Sequence, residues 1–233
     1  MTTPLILLPG MMCDARMFGP QINAFSEERP VQVGDLTGSD TMTGLAEAVL
    51  KRAPDRFALA GLSMGGIVAM EILRLAPHRV ERLALLDTNP LAEADEMKVR
   101  RIPQMERVQN GELRAIMRDE MKPNYLADGP NRGEILTLCM EMAEDLGPDV
   151  FLRQSRALRD RRDQTDTLRK FSGPALVLCG REDVPCPVHR HELMHALVPT
   201  SELVIVEGAG HLPTLEQPEK TTSALRHWLS RET

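Results

Sequence analysis

Two short stretches hold residue types at spacings that could do covalent or metal chemistry. "FALAGLSMGG" (57–66) sets Ser63 between Gly61 and Gly65, after an apolar β-type run and before an apolar helical one. On such a strand-to-helix turn a serine projects its hydroxyl, and the flanking glycines avoid collisions with neighbouring backbone. The helix behind it aims free N–H groups and its positive dipole end at the reacting atom. "HELMH" (191–195) has the spacing of a helical zinc site, with His191 and His195 as ligands and Glu192 as base.

A serine hydroxyl is a poor nucleophile without a base to take its proton and a third group to orient that base. "LCGREDVPCP" (178–187) offers Asp183, and "VEGAGHLPTLEQPE" (206–219) offers His211. The chain order Ser, acid, His favours Asp183 as the acid. Asp87, at the end of "LALLD" (83–87), stays open as a rival. Acyl transfer also needs two backbone N–H groups for the charge developing on the carbonyl oxygen. Met64 follows the serine, and Met11 lies in "LLPGMMCD" (7–14), where Gly10 lets the chain turn.

The zinc pattern is weaker. Projected on a helix, Leu193, Met194 and Leu197 share one face, and His191, Glu192 and His195 the other. The expectation is an apolar face on the core and a histidine face in water. A zinc site needs a third protein ligand, and the extended motif has Val198 and Ser201 where Gly and His are required. A metal-dependent hydrolase at His191/His195 is therefore a remote alternative.

The elements that must position these residues are short apolar runs ending in Gly, Asp or Pro. They are residues 4–10, 29–36, 57–61, 82–90, 174–180 and 202–210, with helical stretches at 43–53, 64–76, 188–198 and 214–230. Continuous apolar runs alternating with helices predict a parallel sheet covered on both faces, with chemistry at the strands' carboxyl ends. Residues 91–170 break the rhythm. They lack a strand-like run, balance basic against acidic residues and show helical spacing, which predicts a helical lid over the core formed by 1–90 and 171–233. Several methionines fall there, among them Met97, Met105, Met117, Met121, Met140 and Met142, and suit lid packing first and an adaptable pocket second. Arg153, Arg156, Arg159, Arg161 and Arg162 read as a solvated face paired with Asp160 and Asp163, rather than as a carboxylate site.

Composition narrows the function classes. The net charge is −6, and one Trp, one Tyr and five Phe leave no basic, aromatic-interleaved patch for nucleic acid. The apolar run after "MTTP" is too short for a signal peptide or membrane span. Cys13, Cys139, Cys179 and Cys186 form no C-x-x-C pair, which predicts free thiols and a cytoplasmic location. A homodimer is left open.

With "LLPG", "GLSMGG", "LVLCGRED" and "GAGHLPTLEQPE" in this order, the chain resembles the α/β-hydrolases, in particular small, lidded, cofactor-free members such as enol-lactonases, carboxylesterases and carbon–carbon bond hydrolases. The resemblance implies a triad of Ser63, Asp183 and His211 with Met11 and Met64 at the oxyanion hole, acting on a small or medium ester or lactone with no cofactor or metal. The alternatives are carbon–carbon cleavage of a diketone or dienone acid with the same triad, and a silent ligand-binding member. Pro9 stands where the family usually has His, which bears on the Met11 loop. The family's leading hairpin is missing, so about six strands are expected rather than eight.

Overall fold

The structure is a computed structural model and describes residues 2–232. Six strands form one sheet in the order β2-β1-β3-β4-β5-β6. They are β1 (Leu5–Leu8), β2 (Val31–Val33), β3 (Phe57–Leu62), β4 (Val80–Leu86), β5 (Ala175–Gly180) and β6 (Ser201–Val206). All five pairings are parallel. β1, β2, β4 and β6 stop before the ends of the apolar runs that mark them, whose last residues turn into the loops at the carboxyl edge, whereas β5 ends with its run and β3 extends one residue past its own.

Alternation along each strand builds two cores. Ile6, Leu8, Leu59, Leu83, Leu85 and Val177 point to one face, against α2 (Met42–Arg52), α3 (Met64–Leu75) and α8 (Val188–Leu197). Leu5, Leu7, Ala58, Ala60, Leu86 and Leu178 point to the other, against α1 (Gly19–Phe25) and α10 (Pro218–Ser230). Trp228 of α10 is wholly buried there, and its indole N–H donates to the Pro174 carbonyl at 3.2 Å. Each large apolar side chain so enclosed contributes about 1.5–3 kcal/mol over leaving it in water.

Between β4 and β5 the chain is helical: α4 (Asp95–Gln109), the single turn α5 (Leu113–Ala115), a π-helical turn Ile116–Met121, a 3-10 turn Lys122–Asn124, α6 (Arg132–Arg159) and α7 (Thr165–Arg169). Helix α6 is broken at Gly147 (φ 79°, ψ 176°), since Pro148 bars helical geometry in the residue before it. The predicted helix 214–230 is likewise two pieces, α9 (Pro213–Glu216) and α10, parted at Gln217 ahead of Pro218. Among the described residues no helix is long and apolar enough to cross a membrane.

Candidate active site

Strand β3 leads directly into Ser63, whose backbone is left-handed (φ 56°, ψ −118°) before α3 begins at Met64. An L-residue reaches that region only under strain, and the surroundings enforce it. A Cβ on Gly61 would lie 2.3 Å from the Gly65 carbonyl oxygen, and one on Gly65 would lie 2.0 Å from the Leu8 oxygen. The turn therefore closes only with glycine at both positions. Ser63 N–H donates to Leu86 O at 2.9 Å, and the Thr88 hydroxyl donates to Ser63 O at 2.7 Å.

Three loops at the carboxyl edge converge on this serine. His211 Nε2 lies 2.9 Å from Ser63 Oγ, and His211 Nδ1 lies 2.9 and 3.0 Å from the two oxygens of Asp183. With Nδ1–H donating to the carboxylate, Nε2 is left to accept the Ser63 hydroxyl proton. Asp183 also accepts from Cys186 N–H at 2.9 Å, and both Asp183 and His211 are buried.

Around Met11, the neighbouring amides are committed. Gly10 N–H points at Met17 Sδ (3.3 Å), Met12 N–H donates to Gln154 Oε1 (2.9 Å) and Cys13 N–H donates to Gly10 O (3.2 Å). Among the described residues the N–H groups of Met11 and Met64 have no protein acceptor, as donors kept for an oxyanion must. The sharp turn falls on Met12 (φ 54°) rather than on Gly10. Gly10 serves close approach instead, since a Cβ there would sit 3.2 Å from Met17 Cε and 3.4 Å from Ser63 Cβ.

Asp87 does not touch the histidine. It sits fully buried at the end of β4 with left-handed backbone (φ 44°), and its Oδ1 accepts from Gly180 N–H at 2.9 Å. Its Oδ2 is buried with no donor aimed at it. Burial first, and the adjoining Asp183 carboxylate second, push Asp87 well above the usual carboxylate range, which favours its neutral form.

Several groups fall elsewhere than the pattern predicted. His191 is buried, not solvated: its Nε2 accepts from Thr88 N–H at 3.1 Å, and burial lowers it to about 4. The reason is phase, because His191, Met194 and Val198 stand at i, i+3 and i+7 on the stripe that meets the sheet. His195 is half-buried and pairs through Nδ1 with the Ser201 hydroxyl at 2.8 Å, while Glu192 is exposed. Nε2 of His191 is thus committed to Thr88 N–H rather than turned towards His195. Among the described residues the ligand-type atoms that do gather are those of Asp183, Cys186 and His211, two of which are bonded to each other. The arginine face divides too. Arg159 pairs with Asp160, but Arg153 donates to Thr37 O, and Arg161 is drawn inward to Leu91 O and Glu93.

Some positioning residues gave no sequence signal. Glu216 accepts from the N–H groups of Ala127 (2.8 Å), Gly210 (3.0 Å) and Leu212 (3.0 Å), clamping the histidine loop. Tyr125 O accepts His211 N–H at 2.6 Å, and the Tyr125 ring meets the imidazole edge-on at 5.1 Å between centroids. Glu216 lies within a motif quoted for other reasons, and Tyr125 is the chain's lone tyrosine, yet neither role has a local spacing to announce it.

A family model described as "Alpha/beta hydrolase family" matches residues 5–224. A pimeloyl-[acyl-carrier protein] methyl ester esterase of Nitrosomonas europaea is 25% identical, over 94% of this chain and 92% of its own length. Among solved structures, a thermophilic esterase from Thermogutta terrifontis, with malate bound, superposes with a TM-score of 0.89 at 31% identity, covering 97% of this chain and 89% of that one. The enol-lactonase from Burkholderia xenovorans LB400 shares the fold at a TM-score of 0.87 and 19% identity, covering 99% and 92%.

Proposed function

The chain belongs to the alpha/beta hydrolase family, and from that premise we propose that it is a serine hydrolase cleaving a small or medium carboxylic ester or lactone. The observation that carries the reading is the hydrogen-bonded run Ser63–His211–Asp183. In this reading His211 Nε2 takes the Ser63 proton as Oγ bonds to the substrate carbonyl carbon. The carbonyl oxygen, now negative, receives the N–H groups of Met11 and Met64. Collapse expels the alcohol oxygen, which leaves with the proton from His211 and gives an acyl-serine. Water, deprotonated by the same imidazole, then frees the acid. Asp183 holds the tautomer and balances the imidazolium, while residues 91–170 act as a lid. The four free cysteines support a cytoplasmic setting.

Carbon–carbon cleavage would be favoured by an arginine free to bind a substrate carboxylate, but Arg153, Arg159 and Arg161 are engaged elsewhere. A silent ligand-binding member has no use for the complete hydrogen-bonded run.

Ser63→Ala tests the reading. Turnover of p-nitrophenyl acetate should fall by at least about a thousandfold with the thermal transition intact, and a fluorophosphonate should label wild type once, at Ser63. Turnover surviving in Ser63→Ala would refute it.

A further inference from the structure

Lys122, in the 3-10 turn after the π-helical turn, is 1% exposed, and its Nζ has no hydrogen-bond partner among the described residues. A buried ammonium is costly unless something answers its charge. Among the described residues it is the face of Tyr125 that meets it, with the ring centroid 4.5 Å from Nζ. The other groups sensing it are the thiols of Cys13 and Cys139. Both are neutral at physiological pH, Cys139 being pushed up to about 12 by burial and Cys13 raised for the same reason. The nearby acids are spoken for: Asp14 grips Arg16 at 2.6 Å, and Glu216 holds three backbone amides.

The unanswered charge is close to the chemistry. The ring beneath Nζ is the one that abuts His211, and Cys13 is two residues past Met11, whose N–H is uncommitted. Arg101 approaches the same loop, with Nη1 4.0 Å from Met11 Sδ, but its charge is met by Glu93 at 2.8 Å. Of these two cations, Lys122 is the one without a counter-ion among the described residues.

We propose that Lys122 receives a carboxylate of the substrate, so that the preferred ester or lactone carries a free acid group a few carbons from the scissile carbonyl. This rests on the serine-hydrolase reading and names its substrate class. One ammonium balances one negative charge, which suits a carboxylate and falls short of a phosphate. A desolvated charge pair of this kind is formed in the ground state and the transition state alike, so it acts through KM.

The test compares p-nitrophenyl hydrogen glutarate with p-nitrophenyl pentanoate, in which a methyl group takes the place of the carboxylate. Wild type should favour the glutarate ester by about tenfold or more in kcat/KM. Lys122→Met should reduce that ratio by about tenfold, mainly through KM, and Lys122→Arg should retain much of it. Calorimetry with glutarate itself reads the site without turnover: wild type binds, Lys122→Met does not. Esters turned over with no preference, or a ratio unchanged in Lys122→Met, would overturn the proposal and leave the hydrolase reading standing. Glutarate binding that depends on Lys122, with neither ester hydrolysed, would do the reverse. Should Lys122→Met not fold, wild type decides alone, and absence of both the ester preference and glutarate binding sinks the idea.

Discussion

Gln154 accepts the Met12 N–H at 2.9 Å and donates its own amide to Leu36 O at 2.9 Å, so one buried side chain of α6 ties together two loops at the carboxyl edge of the sheet. Met12 needs that hold. Its left-handed backbone (φ 54°) costs free energy that the surroundings must offset, and its neighbour Met11 can serve as an oxyanion donor only if the loop is fixed.

Gln154→Leu fills the same volume without either hydrogen bond. The expected outcome is a fall of about ten- to a hundredfold in kcat on p-nitrophenyl acetate with KM changed little, because the donor matters chiefly in the transition state. Steady-state kinetics check it; equal losses through KM would point to a disturbed binding pocket instead.

The two aspartates should separate cleanly. Asp183→Asn puts an amide against His211 Nδ1, where the imidazole proton belongs, and should lower kcat by about 10³–10⁴. Asp87→Asn keeps an acceptor for Gly180 N–H and resembles the neutral acid that burial favours, so kcat should stay within about threefold. A large loss in Asp87→Asn, with Asp183→Asn nearly silent, would exchange their roles.

Acid stability should report Glu71. This buried carboxylate in α3 accepts from Thr43, Arg74 and Gln164. Burial opposes its charge, but those bonds prevail and hold it at about 2, against an ordinary 4.5. A depressed carboxyl stabilises the fold fully above its unfolded value, and that contribution drains away as pH falls from 4.5 towards about 2. Glu71→Gln should be less stable at neutral pH by about 1–3 kcal/mol, and its denaturation midpoint should vary less than that of wild type across that window. Urea melts at stepped pH measure both.

Much of the fold was legible in the sequence. A β-strand enclosed on both faces must be apolar throughout, so the runs around Leu5–Leu8 and Ala175–Gly180 announced a covered parallel sheet. The loops bearing Ser63, Asp183 and His211 were then bound to meet at one edge. His191 escaped because amphipathic projection assigns histidine to the water side, whereas backbone Thr88 N–H, more than a hundred residues away, needed an acceptor. Gln154, Glu216 and Lys122 escaped for a related reason. Their partners are backbone groups of distant segments or, for Lys122, an aromatic face, and no spacing along the chain encodes such a meeting.

The bond from His211 N–H to the Tyr125 carbonyl, with Glu216 reaching on to Ala127, ties the helical segment between β4 and β5 to the histidine loop. If residues 91–170 act as the proposed lid, a molecule entering by lifting residues 122–127 would loosen the imidazole's anchor at the same moment. In that case the imidazole would regain its anchor only as the segment settles over an occupant, and the serine would be spared idle encounters with water and bulky esters alike.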